Sequence, residues 1–260
     1  MFLQLILLGF IMIKRIICLL FLLGTPLFSF AQLQDIHGVI PTENVTSLEI
    51  KPRYKAKDDS KNKTVATVEI KPSFKINQHW KLGAEIPFTR YGEGEVSEKG
   101  LGDIMLSGFY TDYSPSKVFS YGVGAELTLP TASHHELGDG KAYIEPEIFL
   151  VWKLNPNFFV EAEYRHIFSF TGAASRDDIH ESRYRMIFGY MSDNKWWFEF
   201  DPRYTVDYEN PGEAELIGEF EIGTMVNVGS SIYLRGGWHL AGNKYSQDWE
   251  IMLGYKILYL

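Results

Sequence analysis

The stretch Trp249-Glu250-Ile251-Met252-Leu253-Gly254-Tyr255-Lys256-Ile257-Leu258-Tyr259 decides the fold. From Trp249 through Ile251, Leu253, Tyr255 and Ile257 to Tyr259, every second residue is large and apolar, while the other phase carries Glu250, Met252, Gly254, Lys256 and Leu258. Period two is the mark of a strand with unlike faces, because successive side chains on a pleated backbone point to opposite sides. The pattern returns at Phe119, Tyr121, Val123, Ala125, Leu127 and Leu129 against Ser120, Gly122, Gly124, Glu126 and Thr128. It returns again at Trp196, Phe198, Phe200, Pro202, Tyr204 and Val206 against Trp197, Glu199, Asp201, Arg203, Thr205 and Asp207.

Working outward, about twelve such runs lie near 45–55, 64–76, 80–90, 102–112, 118–130, 141–154, 158–170, 182–191, 196–208, 214–226, 231–240 and 247–259. Most are about double the usual strand length. Tight turns stand at Asn77-Gln78-His79, Ser114–Lys117, Asn155-Pro156-Asn157, Ser192–Lys195 and Asn227–Ser230, whereas the links around 56–63, 91–101, 131–140 and 171–181 read as longer and polar. A hairpin is therefore the repeating unit. Glu49-Ile50-Lys51-Pro52-Arg53-Tyr54-Lys55 is echoed by Glu69-Ile70-Lys71-Pro72-Ser73-Phe74-Lys75, so adjacent strands share one design. Pro52, Pro72, Pro146 and Pro202 fall inside strands on the apolar phase, where a missing ladder N–H predicts bulges or bends.

Alternation alone leaves open which face is inside, since a soluble periplasmic β-sandwich shows the same pattern. Three features favour a membrane barrel. Strands of about 10 residues, tilted, span a bilayer. Apolar-phase residues beside the tight turns are aromatic (Phe74 and Trp80, Tyr110 and Phe119, Trp152 and Phe158, Tyr190 and Trp196), as at a membrane–water interface. Short turns at one end and long loops at the other are the asymmetry of outer-membrane barrels. The expected fold is all-β: a transmembrane, antiparallel, up-and-down β-barrel of about twelve strands, closed because hydrocarbon offers no partner to a free strand edge. An even strand number places both ends on the short-turn, periplasmic side.

Residues 1–31 are the only long apolar run. Lys14-Arg15, the apolar Ile16–Leu23 and Ser29-Phe30-Ala31 have the order of a secretory leader, with Met12 a candidate start; an uncleaved anchor is the alternative. Cleavage after Ala31 leaves 32–260 as one domain in the bacterial outer membrane. The single cysteine, Cys18, would go with the leader, removing disulfides and thiolate sites from the remainder. The full chain has 25 Lys+Arg against 33 Asp+Glu and a net charge of −8, which argues against nucleic acid as a partner. An aromatic content of 15% argues against disorder.

If the apolar phase meets lipid, the polar phase lines a lumen with Glu49, Lys51, Arg53, Glu69, Lys71, Glu85, Glu126, Glu145, Glu147, Glu161, Glu163, Arg165, Arg183, Arg185, Glu199, Asp201, Arg203, Glu219, Glu221, Arg235 and Glu250. Charges are tolerated there when wet or paired. The early strands are richer in Lys and Arg, and 145–163 and 215–221 in Glu. Such a wall suits an aqueous path; the alternative is a salt-bridge network that fills the barrel, because about eight strands enclose a filled interior and sixteen or more a channel. A surface-interaction barrel is the other non-transport reading.

Gly100-Leu101-Gly102-Asp103-Ile104, followed by Leu127-Thr128-Leu129-Pro130-Thr131 and Gly138-Asp139-Gly140, resembles the outer-membrane family named for the meta-cleavage pathway of phenol degradation, with Gly100, Gly102, Asp103, Pro130 and Thr131 carrying the likeness. The match covers mainly residues 100–170; Ala132 and the final Leu260 depart from the family pattern. The resemblance implies a transporter-like barrel and passage of small solutes, aromatic compounds among the candidates.

No enzyme is expected. In His166-Ile167-Phe168-Ser169 the histidine and serine fall on opposite faces of a strand, so they cannot share a proton without a bulge. His134-His135-Glu136 with Asp139, and His180 with Asp177-Asp178, are the nearest approach to a metal set, but adjacent strand histidines point apart, and neither metal nor cofactor is expected. Gly92-Glu93-Gly94 and Gly100-Leu101-Gly102 lack the strand-to-helix context of a phosphate loop.

Overall fold

The computed structural model describes residues 39–40, 42–57, 63–244 and 246–259. The leader, most of the 56–63 link and Leu260 lie outside the described residues. The strands are β1 (Thr46–Lys57), β2 (Lys63–Lys75), β3 (Trp80–Glu93), β4 (Val96–Leu101), β5 (Ile104–Tyr113), β6 (Phe119–Leu129), β7 (Lys141–Lys153), β8 (Phe158–Gly172), β9 (His180–Met191), β10 (Trp196–Asp207), β11 (Ala214–Asn227), β12 (Ser230–Gly242) and β13 (Trp249–Tyr259). Each pairs antiparallel with its neighbours, and β1 closes the ring on β13 from Thr46↔Tyr259 to Ala56↔Trp249. Both β4 and β5 pair with β3, so they are two halves of one wall strand. The result is a closed twelve-stranded antiparallel barrel.

The 91–101 link is corrected. β3 continues to Glu93, turns at Gly94 (φ +58) and returns as β4. β4 pairs with β3 alone and none of its residues is buried, so nothing imposes apolar alternation on it, and its charged sequence reads as loop.

The prolines make no bulge. On one side of each, the ladder runs unbroken (Pro52↔Val68, Leu48↔Pro72, Ala125↔Pro146, Pro202↔Gly218). On the other, pairing stops for two residues and resumes in the same register, as between Ile50↔Tyr255 and Arg53↔Met252 or Phe200↔Phe188 and Arg203↔Arg185. In an antiparallel ladder alternate residues bond to opposite neighbours, so a proline costs bonds on one side only. The register shifts lie elsewhere, at Ala142/Tyr143, Leu216/Ile217 and Met225/Asn227.

Burial is inverted relative to a soluble protein. Trp80, Phe88, Phe188, Phe220, Ile251 and Leu253 are exposed, while Glu69, Glu126, Glu161, Asp201 and Glu219 are buried. The echoed segments now have a use. Their antiparallel register sets Glu49 opposite Lys71 and Lys51 opposite Glu69, and Lys51 Nζ lies 2.8 Å from the Glu69 carboxylate.

Toward the short turns the interior itself becomes apolar. Phe149, Val151, Phe159, Ile187, Met191, Trp197, Tyr233 and Met252 pack with Ile40, which precedes β1. Several of these rings lie flat on an inward glycine of the adjoining strand. A Cβ on Gly189 would stand 2.0 Å from the Phe159 ring, and Gly122 and Gly223 relate to Phe149 and Trp197 in the same way. Glycine is used here for close approach of a ring to backbone.

Candidate functional site

The interior above this apolar floor is an ion-pair lattice built by strand alternation. Arg165 on β8 reaches four carboxylates, those of Glu126, Glu147 (2.5 Å), Glu163 (3.0 Å) and Glu145 (3.4 Å). Arg183 adds to Glu145 at 3.5 Å. Arg185 joins Glu163 (2.9 Å) to Asp201. Arg235 on β12 meets Glu221 (2.8 Å), Glu219 (3.0 Å), Asp201 (3.5 Å) and Glu199 (3.6 Å), and Arg203 meets Glu219 at 3.1 Å. Around β1–β3 and β13 the cations are mostly lysines. Lys51 holds Glu69 and Glu85, Arg53 holds Glu69, Lys71 holds Glu85 and Lys55 holds Glu250. Glu49 accepts from the Tyr233 hydroxyl at 2.9 Å and lies 3.5 Å from Lys256. Of the residues expected in the lumen, Glu161 alone joins no ion pair among the described residues.

Two cavities remain in this lattice. One of ≈ 220 Å³ is lined by Lys81, Glu126, Glu147, Glu161, Arg165 and others above Phe109 and Phe149. The second, of ≈ 290 Å³, adds Glu49, Lys71, Tyr233 and Lys256. Both touch Val39, Lys81, Glu199 and Arg235, and each has room for several waters.

Beneath them sits the segment before β1, which sequence reasoning missed. Ile40 is 2% exposed and Thr42 fully buried. The Thr42 carbonyl accepts from Tyr113 Oη at 2.7 Å and Thr111 Oγ1 at 3.3 Å, and its hydroxyl lies 3.0 Å from Ser120 Oγ. Asn44 Nδ2 donates to Thr111 Oγ1 (2.8 Å) and to the Gln78 carbonyl (3.1 Å). Nothing in a short stretch with no period announces a lumen partner; the available signal was the inward Phe109, Phe149, Phe159 and Trp197, which break the polar phase near the tight turns.

The motif residues form a clasp at the opposite end. Asp103, at the break between β4 and β5, accepts from the amides of Ala132 (3.0 Å) and Asp139 (2.7 Å). Thr131 Oγ1, just after Pro130, accepts from the Ile104 amide (2.8 Å) and donates to the Gly102 carbonyl (3.2 Å). Gly102 N donates to the Pro87 carbonyl at 2.8 Å, and a Cβ on Gly100 would collide with Ser133 Oγ. This loop also carries the single-turn 3₁₀ helix His135–Leu137. Burial, and then the charge of Asp103, push the Asp139 carboxyl up, against the hydrogen bond from Tyr143. Across the mouth, the Lys141 hydrogen bond pulls the Asp178 carboxyl down. His134 lies 3.6 Å from Glu98 and His135 3.8 Å from Glu136; no group of three or more His, Asp or Glu converges as a metal set among the described residues.

His166 and Ser169 are not partners. Ser169 Oγ donates to Asp178 and accepts from the Ile179 amide. His166 Nδ1 instead meets Ser182 Oγ of β9 at 3.1 Å on the outer face, where Tyr208 donates to the same oxygen at 3.1 Å. Ser182 is 1% exposed, so its hydroxyl is not presented to a substrate.

A closed antiparallel barrel with an apolar exterior and a charged interior is the architecture of an outer-membrane barrel. Among solved structures the chain is similar to the COG4313 outer membrane channel from Pseudomonas putida F1, at 13% identity and TM-score 0.72, over 88% of this chain and 100% of that one. It is also similar to the KdgM porin (11%, TM-score 0.58, 82% and 99%) and the NanC porin (11%, TM-score 0.59, 82% and 100%). These likenesses are of fold. No protein-family model matches the chain, and no curated protein matches it in sequence.

Proposed function

We propose that this chain is a passive outer-membrane channel for small solutes, exported by its N-terminal leader and set in lipid by its apolar exterior. The observation that carries the reading is the charged inner wall, which keeps two cavities between its ion pairs inside a closed ring of strands. Charges on that scale are supported in a barrel by water, and water in the barrel is a path. The fold shared with a COG4313 channel and two porins supports the same reading. The resemblance of the Gly100–Thr131 motifs to the phenol meta-pathway family supports aromatic compounds among the solutes.

A second reading, a plugged structural barrel, is favoured by one observation, the seating of Ile40 and Thr42 in the apolar floor. Planar-bilayer recording separates the two. Refolded protein is expected to give discrete single-channel currents that grow when residues 32–44 are deleted. Currents indistinguishable from protein-free bilayers for both forms would leave the plugged barrel.

A further inference from the structure

On the outward phase of the long-loop half of the strands, permanent charge stands at one place among the described residues. β3 turns Trp80, Leu82, Ile86 and Phe88 to the exterior and then Arg90, and Arg90 lies directly opposite Lys99 of β4. Opposed residues of an antiparallel pair share a face, and both side chains are exposed, so two cations leave the barrel wall side by side. Like charges set opposite one another weaken a strand pair. Neither side chain has an ion pair or hydrogen bond among the described residues. The carboxylates of the hairpin serve elsewhere. Glu93 accepts from the Tyr91 hydroxyl, Glu98 lies on the other phase 3.6 Å from His134, and Glu95 is at the turn.

Register fixes the height of this pair. Tyr54, Ala66 and Arg90 lie in one row, and Tyr54 stacks on Trp249 with ring centroids 5.5 Å apart. Tyr and Trp mark the membrane–water interface, so the cations stand at headgroup level, at the long-loop end that faces outward in barrels of this class. The next row toward the bilayer centre is Pro52, Val68 and Phe88. With the small Ala66 it walls a shallow groove of ≈ 610 Å³ that Arg90 and Lys99 border. An apolar furrow that ends at two cations is complementary to an amphiphile whose acyl chain ends near a phosphate. Free phosphate would leave the furrow unused, and a zwitterionic headgroup would bring a third cation to the pair.

We propose that Arg90, Lys99 and the groove beneath them bind a phosphorylated acyl glycolipid of the outer leaflet, its phosphate held by the two side chains and one acyl chain laid along Pro52, Val68 and Phe88. The site is on the exterior and does not depend on whether the lumen conducts. Native mass spectrometry of the refolded full chain in neutral detergent micelles tests it, by titration with bisphosphorylated lipid A and with fully dephosphorylated lipid A and inorganic phosphate as controls. The bisphosphorylated lipid is expected to be retained, the dephosphorylated one not, and inorganic phosphate at equal concentration not to displace it. Arg90→Gln with Lys99→Gln, which relieves a like-charge pair, is expected to keep the folded band of heat-modifiable migration and to weaken retention about tenfold or more, the scale of two basic side chains at an anionic headgroup. No retention by the wild type, equal retention by the folded double variant, equal retention of the dephosphorylated lipid, or displacement by phosphate alone would each overturn the assignment. No current enters the measurement, so conductance without lipid retention refutes this site and spares the channel, and retention without conductance does the reverse.

Discussion

Replacing Arg165 by methionine tests whether the lumen lattice is structural as well as electrostatic. The guanidinium is 12% exposed and serves four carboxylates. Without it, Glu145 retains Arg183 at 3.5 Å and Glu163 retains Arg185 at 2.9 Å, so the two stranded groups are Glu126 and Glu147. Breaking a buried pair by removing one partner costs about 3–5 kcal/mol, against about 0–1 kcal/mol for a pair in free water. At about 2–4 °C per kcal/mol for a domain of this size, the buried limit lowers the folded-to-unfolded band conversion in detergent gels by roughly 10 °C. Removing the stranded charges as well, in Arg165→Met with Glu126→Gln and Glu147→Gln, is expected to recover most of that loss, because a neutral, well-packed replacement of a buried network is close to isoenergetic. A shift under about 2 °C, the scale of a surface pair, would mean that lumen water screens these charges completely and that the lattice holds nothing together.

Gly189→Val puts a branched side chain where the Phe159 ring lies 2.0 Å from the Cβ position, and an overpacking cost of about 1–3 kcal/mol is expected in the same gel assay; wild-type behaviour would refute the ring-on-glycine packing. Asp103→Ala strands the amides of Ala132 and Asp139, so hydrogen exchange across 131–139 is expected to accelerate while exchange in β7–β12 stays unchanged. The Asp139 carboxyl is raised by burial, so its contribution to holding that loop is full below the ordinary carboxylate range and is lost as pH rises through the raised value. Loop exchange is therefore expected to quicken with pH beyond its intrinsic rise, and Asp139→Asn should abolish the excess.

What sequence made legible follows from which solvent set the pattern. Hydrocarbon demands an apolar residue at every second position on the outer face, so β6, β10 and β13 are readable from Phe119–Leu129, Trp196–Val206 and Trp249–Tyr259 alone. Outside the membrane that demand stops, which is why Val96–Leu101, a strand bonded only to β3, looks like loop. The interior is bound by no period either. Ion-pair partners such as Arg165 and Glu126 stand 39 residues apart, and register chooses them. The isolation of Glu161 could not be read before its neighbours Val151 and Ile187 were known. The prolines misled for a related reason: a missing N–H was read as a broken register, whereas each strand has two neighbours and forfeits bonds to one.

The seating of the segment before β1 is close to energetic balance, and this bears on whether the apolar floor stays filled. Burying Ile40 contributes about 1.5–3 kcal/mol. The five hydrogen bonds of Thr42 and Asn44 add about 0.5–1.5 kcal/mol each. Against this stands about 1–2 kcal/mol of backbone entropy for each of Val39, Ile40, Thr42, Glu43 and Asn44. The two sides cancel to within a few kcal/mol, unlike the barrel wall, where every strand but β4 is bonded on both flanks. A segment so poised sits in the floor by virtue of few contacts, and the side chain of Ile40, 2% exposed within the apolar cluster, is its main apolar one. Loss of that one side chain shifts the balance toward an unoccupied floor, while the four carboxylates paired to Arg165 stay in place on the barrel wall.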